Sequence, residues 1–139
     1  MKKYFFSKFS HTSYVKLQDA FVAENGNAIG NFELIGYVVP GGKSGETEGN
    51  TTNFTYKQEG TYPTDNSAVD PAAFVAWSAK NKAKLNDCES GQDANWELQI
   101  TIADNSDGAT WKTKSLSTGC KALTPNFDKI GNGGTYEGS

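Results

Sequence analysis

Cysteine occurs only twice in the 139 residues, histidine and methionine once each, and proline four times. These scarcities remove whole classes of chemistry. Two cysteines without a Cys-x-x-Cys pair, and one histidine, supply neither a zinc motif nor a redox motif. His11 has Ser10, Thr12 and Ser13 beside it, all on one expected helix, so no Ser–His–acid geometry follows and a solvated surface histidine is the reading. No apolar run approaches the roughly 20 residues that a bilayer requires. Positive charge is not in excess either. A net charge of −3 and a pI near 5.1 argue against nucleic acid and against adsorption to anionic lipid. Hydrophobic residues make up 36% of the chain, so a single domain with a modest core is expected.

Two ligand motifs are approached and missed. Gly42-Lys43-Ser44 invites a phosphate-loop reading, but the glycine that the motif needs ahead of it falls on Tyr37, and Glu46 and Glu48 would repel phosphate. Asp104-Asn105-Ser106-Asp107-Gly108 carries calcium-type oxygens without the spaced ligand set or distal Glu of an EF-hand loop. A hairpin turn is the simpler account. Asp65, Asn66 and Asp70 form a weaker cluster of the same kind. No catalytic residue, cofactor or metal site is therefore assigned.

What the chain does contain centres on Cys88 to Cys120. Trp96, Leu98, Ile100 and Ile102 alternate with mostly polar residues, the period of a half-buried strand. Beyond the turn, Trp111 faces opposite to Thr110, Lys112 and Lys114. The pattern predicts an antiparallel hairpin with a Cys88–Cys120 disulfide across its base. That bond implies an oxidising location; two buried free thiols in a cytosolic protein is the competing reading. Met1-Lys2-Lys3-Tyr4-Phe5-Phe6 begins like a signal peptide, but Ser7-Lys8 ends the apolar region too early. The expectation is that an export or anchoring segment has been cut away.

Residues 4–24 read as a helix, with Tyr14, Leu17 and Phe21 at i, i+3 and i+7 as its packing face and Asn25-Gly26 as its stop. The aromatic cluster Tyr4, Phe5, Phe6 and Phe9 is either core or the stump of a longer hydrophobic helix. Residues 32–39 read as a strand, 40–51 as a loop, 52–57 as a strand and 58–70 as a loop. At Asp70-Pro71 a turn of helix is expected to give way to strand near Phe74. An irregular segment, Leu123 to Phe127, is laid back over the sheet. Residues 131–139 form a flexible Gly-rich tail, in part of cloning origin. The expected fold is α+β: one amino-terminal amphipathic helix packed on an antiparallel sheet of about four to five strands, over residues 1–130.

Trp77, Trp96 and Trp111, with Tyr56 and Tyr62, are either core or a sugar-stacking platform, and core packing is favoured. Trp96 and Trp111 are placed near one another across the hairpin. Asn50-Thr51-Thr52 and Asn53-Phe54-Thr55 match the N-glycosylation sequon, a short pattern common by chance.

The order of helix, Gly-rich loops, antiparallel sheet and carboxy-terminal disulfide resembles the soluble domain of bacterial type IV pilins and type II secretion pseudopilins. The run Tyr14-Val15-Lys16-Leu17-Gln18-Asp19-Ala20-Phe21-Val22-Ala23-Glu24 is similar to the helix end in that family. Ile35-Gly36-Tyr37, Asn53-Phe54-Thr55-Tyr56, Leu85-Asn86-Asp87-Cys88 and Gly119-Cys120-Lys121-Ala122-Leu123-Thr124-Pro125-Asn126-Phe127 resemble its later blocks. The likeness covers most of residues 14–130. The family's processed leader and long hydrophobic helix are not in this sequence, so the resemblance implies that residues 4–24 are the carboxy-terminal half of that helix. It further implies a non-enzymatic subunit at the bacterial cell surface with a membrane-anchored precursor. Its partners would be identical or related subunits in a helical filament, with the inner membrane reached through the missing helix. The chain by itself would be a monomer. The first rival is a secreted carbohydrate-binding or adhesive module using exposed tryptophans; the second is a small secreted enzyme.

Overall fold

The computed structural model describes residues 11–70, 72–102 and 108–137. The aromatic cluster at residues 4–9, Pro71, and Asp104 to Asp107 of the expected turn lie outside the described residues.

Helix α1 spans His11–Glu24. It contains no Gly or Pro, and it stops where expected: Gly26 takes the left-handed conformation at φ 64°. Its buried stripe is Tyr14, Val15, Gln18 and Val22. Leu17 and Phe21 are only partly buried, so the face that packs is rotated from the expected one and takes in a glutamine. Gln18 Nε2 donates to the Gly30 carbonyl at 2.8 Å and to the Tyr14 hydroxyl at 3.1 Å, and its Oε1 accepts from Gly30 N–H at 3.0 Å. The side chain thus satisfies a buried backbone pair that has no strand partner.

The strand expected at 32–39 is not formed. Phe32–Ile35 is a single helical turn, α2. Asn31 caps it, accepting from Leu34 N–H at 2.8 Å, and left-handed Gly36 ends it. The i, i+3 pair Phe32 and Ile35 is buried together, which outweighs the β-preference of the surrounding residues.

Six strands follow: β1 Glu48–Asn50, β2 Phe54–Gln58, β3 Ala73–Asn81, β4 Trp96–Thr101, β5 Thr110–Lys114 and β6 Thr135–Tyr136. They lie side by side in chain order. The first five pair antiparallel, and β6 runs parallel to β5. This corrects the expected architecture. The sheet has six strands rather than four or five, and it is mixed rather than antiparallel. The helical part is not a single amino-terminal helix laid on the sheet but is divided among α1, α2, α3 (Thr118–Leu123) and a 3-10 turn at Phe127–Lys129.

Each difference has a local cause. β1 reads as loop because its inward residue, Gly49, must be small: a Cβ there would stand 2.1 Å from the Pro40 carbonyl oxygen. β3 begins at Ala73, and β2 and β4 pair along its length; Pro71, on which the expected helical turn would start, lies outside the described residues. A bulge at Ala76 sets Ala76 and Trp77 both into the core. β6 lies in the Gly-rich stretch expected to be mobile. Gly133 N–H bonds the Trp111 carbonyl at 2.7 Å and Ser115 N–H bonds the Tyr136 carbonyl at 2.8 Å.

The β4–β5 hairpin forms as expected, with Trp96, Leu98, Ile100 and Ile102 buried. Its register sets Ile100, not Trp96, opposite Trp111. Trp96 instead faces Ala79 across β3 and packs edge-on against Phe54 at 5.6 Å. Tyr14 is the hub of the aromatic core, with T-shaped contacts to Phe32, Tyr37 and Trp111 at 5.3–5.8 Å.

Candidate functional site

Cys88 and Cys120 form the expected disulfide, with Cα atoms 4.4 Å apart and both residues buried. The bond ties the loop between β3 and β4 to α3. Ser117 caps α3, its hydroxyl accepting from Cys120 N–H at 3.3 Å. The same loop is held from the sheet side. Buried Asn81 donates to the carbonyls of Ala83, Cys88 and Glu89, and Asn95 donates to Asn81 Oδ1 at 2.8 Å. Lys80 Nζ reaches the Gln92 carbonyl at 3.1 Å, and Lys114 Nζ the Ala94 carbonyl at 2.7 Å. Lys114, read as part of the wet face of the hairpin, and Lys80 of β3 therefore clamp the stapled loop. A disulfide of this kind fits an oxidising, non-cytoplasmic compartment. Among the described residues no helix is long and apolar enough to cross a membrane.

The three tryptophans are buried, and each indole N–H has a partner. Trp77 donates to the Tyr37 hydroxyl at 3.2 Å, Trp96 to Thr124 Oγ1 at 2.8 Å and Trp111 to Asp19 Oδ1 at 2.8 Å. They offer no exposed ring face for a sugar. His11 is half-buried rather than solvated. Its ring lies 5.1 Å from that of Phe127 and 6.0 Å from that of Trp77, and burial lowers its pKa to about 4.

The remaining candidates are dispersed. Gly42 N–H is engaged by the Val39 carbonyl, and no helix follows Lys43-Ser44 to receive a phosphate. Asp65 accepts from the backbone and hydroxyl of Ser67, which lowers its pKa, while Asn66 donates to Glu33 at 2.9 Å. Among the described residues no three His, Cys, Asp or Glu side chains gather to hold a metal. Asn50, in one sequon, is exposed and accepts from Thr55 Oγ1 at 2.7 Å.

One surface feature has no counterpart among the sequence motifs. A groove of about 680 Å³ runs between α1, at Lys16 and Leu17, and the segment Gly36 to Gly42. It is mostly apolar, and it contains Val38, the one large hydrophobic side chain exposed among the described residues. The in–out–in alternation of Tyr37, Val38 and Val39 was the only available signal, and in sequence it is indistinguishable from an ordinary strand. The chain matches no protein-family model, no curated protein and no solved structure, so its functional reading rests on its own residues.

Proposed function

We propose that this chain is the exported globular part of a bacterial cell-surface filament subunit, of the type IV pilin or type II secretion pseudopilin kind, with a structural rather than a catalytic role. The observation that carries the reading is the Cys88–Cys120 bond. It joins two of the sequence blocks that resemble that family, Leu85–Cys88 and Gly119–Phe127. The stapled, doubly clamped loop suits a subunit that must resist shear and proteases outside the cell, where no repair follows. In this reading the precursor carries a hydrophobic helix ahead of this domain. That helix anchors the precursor in the inner membrane and then packs against neighbouring subunits. Such contacts are heterologous and propagate helically instead of closing. The burial of Trp77, Trp96 and Trp111 gives the adhesive alternative no support.

The test is the native coding sequence upstream of Met1, together with mass spectrometry of filaments sheared from the source cells. A prepilin-type cleavage site followed by about 20 apolar residues, and peptides of this chain in the sheared fraction, are expected. An ordinary secretory peptide upstream, with the chain absent from filaments, would sink the reading.

A further inference from the structure

The groove beside α1 carries main-chain groups that nothing in the fold uses. Tyr37 N–H bonds the Phe32 carbonyl at 2.9 Å, and the Val39 carbonyl accepts from Gly42 N–H at 2.9 Å. Between them, Val38 has no hydrogen-bond partner for its N–H or its C=O among the described residues. Tyr37 and Val39 are buried at 2% and 1% exposure while Val38 is 46% exposed, the alternation of extended chain. In extended chain the N–H and C=O of one residue point to the same side, and those of its two neighbours to the other. On the Tyr37/Val39 side two of the four groups, Tyr37 N–H and Val39 C=O, are taken by neighbouring turns, whereas on the Val38 side neither group is taken, an open edge one residue pair long. Leu17 and Val39 supply apolar wall beside it. Lys16, exposed on the rim, has no carboxylate partner among the described residues.

We propose that this groove is a docking site for an extended peptide strand that pairs with the backbone of Val38, sets an apolar side chain against Leu17 and Val39, and places an Asp or Glu opposite Lys16. Main-chain pairing supplies affinity in such strand additions, and the flanking wall and charge supply selectivity. The volume lies within the range of ligand clefts, about 300–1,000 Å³. The apolar walls favour an apolar side chain, and the unpaired lysine favours an acidic one over a basic one. The proposal goes beyond the filament reading and does not depend on it.

The experiment pans a phage-displayed library of random heptapeptides on the full chain, then titrates the enriched peptide, made synthetically, into isotope-labelled protein. Enriched sequences should alternate apolar residues and carry an acid, and the largest amide shifts should fall on Val38 and Leu17. Val38→Pro removes the donor without touching the core and should weaken binding about tenfold, the worth of one well-made hydrogen bond. Lys16→Glu should also weaken it, with a loss that shrinks at high salt. If Val38→Pro lowers the urea midpoint, Val38→Asp serves in its place, since it leaves the backbone intact and sets a carboxylate in the groove. No enrichment over bare support, shifts confined elsewhere, or affinity unchanged in these variants would overturn the proposal. So would sedimentation showing that the groove is closed by a second copy of the chain.

Discussion

His11 sits against Trp77 and Phe127, although its sequence neighbours, Ser10, Thr12 and Ser13, are polar. Ring contacts of that kind come from β3 and from the turn after α3, more than 60 residues away, so no local pattern could announce them. Burial disfavours the imidazolium and lowers the pKa from 6.5 to about 4. The unfolded chain therefore binds the proton more readily than the fold does. Stability from this residue should be fully present above pH 6.5, fall between 6.5 and 4, and level off below. Urea unfolding across that window should show a loss on the order of 1–3 kcal/mol that His11→Phe abolishes. A variant with the same acid slope as the parent would assign the loss to carboxylates instead. Gln18 makes the parallel point for a polar side chain. By type it belongs outside, and it is inside because Gly30 needs two partners there.

Among the elements, those with strong internal periodicity were legible and those defined by a neighbour were not. The β4–β5 hairpin and the end of α1 could be read because alternation and the Asn25-Gly26 stop are local signals. α2, β1 and β6 could not. One is decided by the Asn31 cap, one by the close approach of Pro40, and one by bonds to Trp111 and Ser115. Helix α3 depends on a similar approach. A Cβ on Gly119 would stand 2.1 Å from the Asp87 carbonyl oxygen, against which the helix is drawn by the neighbouring disulfide. Gly119→Ala should cost about 2–3 kcal/mol by forcing α3 off the stapled loop. It should also slow oxidation of the two thiols during refolding, followed by thiol titration. Gly91→Ala, with nothing within 4 Å of the added carbon, is the control and should be near neutral. Equal midpoints for the two variants would show that α3 yields freely.

For the whole molecule, the sheet leaves little free edge. Val39 to Gly42 crowd β1 at one side, and at the other β5 is covered by β6, whose Tyr136 hydroxyl bonds Glu97 at 2.7 Å. Covered edges oppose uncontrolled strand pairing between copies. The fold's one covalent cross-link closes a loop across 32 residues of sequence. Replacing both cysteines, Cys88→Ala with Cys120→Ala, should lower stability by about 3–4 kcal/mol in the chain-entropy account, measured by denaturant unfolding. Because both sulfurs are buried, dithiothreitol should reduce the native protein only as fast as it opens, and much faster in urea. Rapid reduction of the folded protein would show that the stapled loop breathes independently of the core.

The amino-acid sequence alone limited any internal disulfide to one pairing, since only two cysteines exist; that the bond forms, which fits an oxidising compartment, came from the structure. The sequence also determined the hairpin and its buried face, because a two-residue period is written in adjacent side chains. The tertiary structure alone decided the number and direction of strands, the burial of His11 and Gln18, and the unpaired edge at Val38. Those depend on which distant backbone groups remain to be hydrogen-bonded once the core has closed, and hydrogen-bond demand is a property of the folded arrangement, not of any stretch of residues.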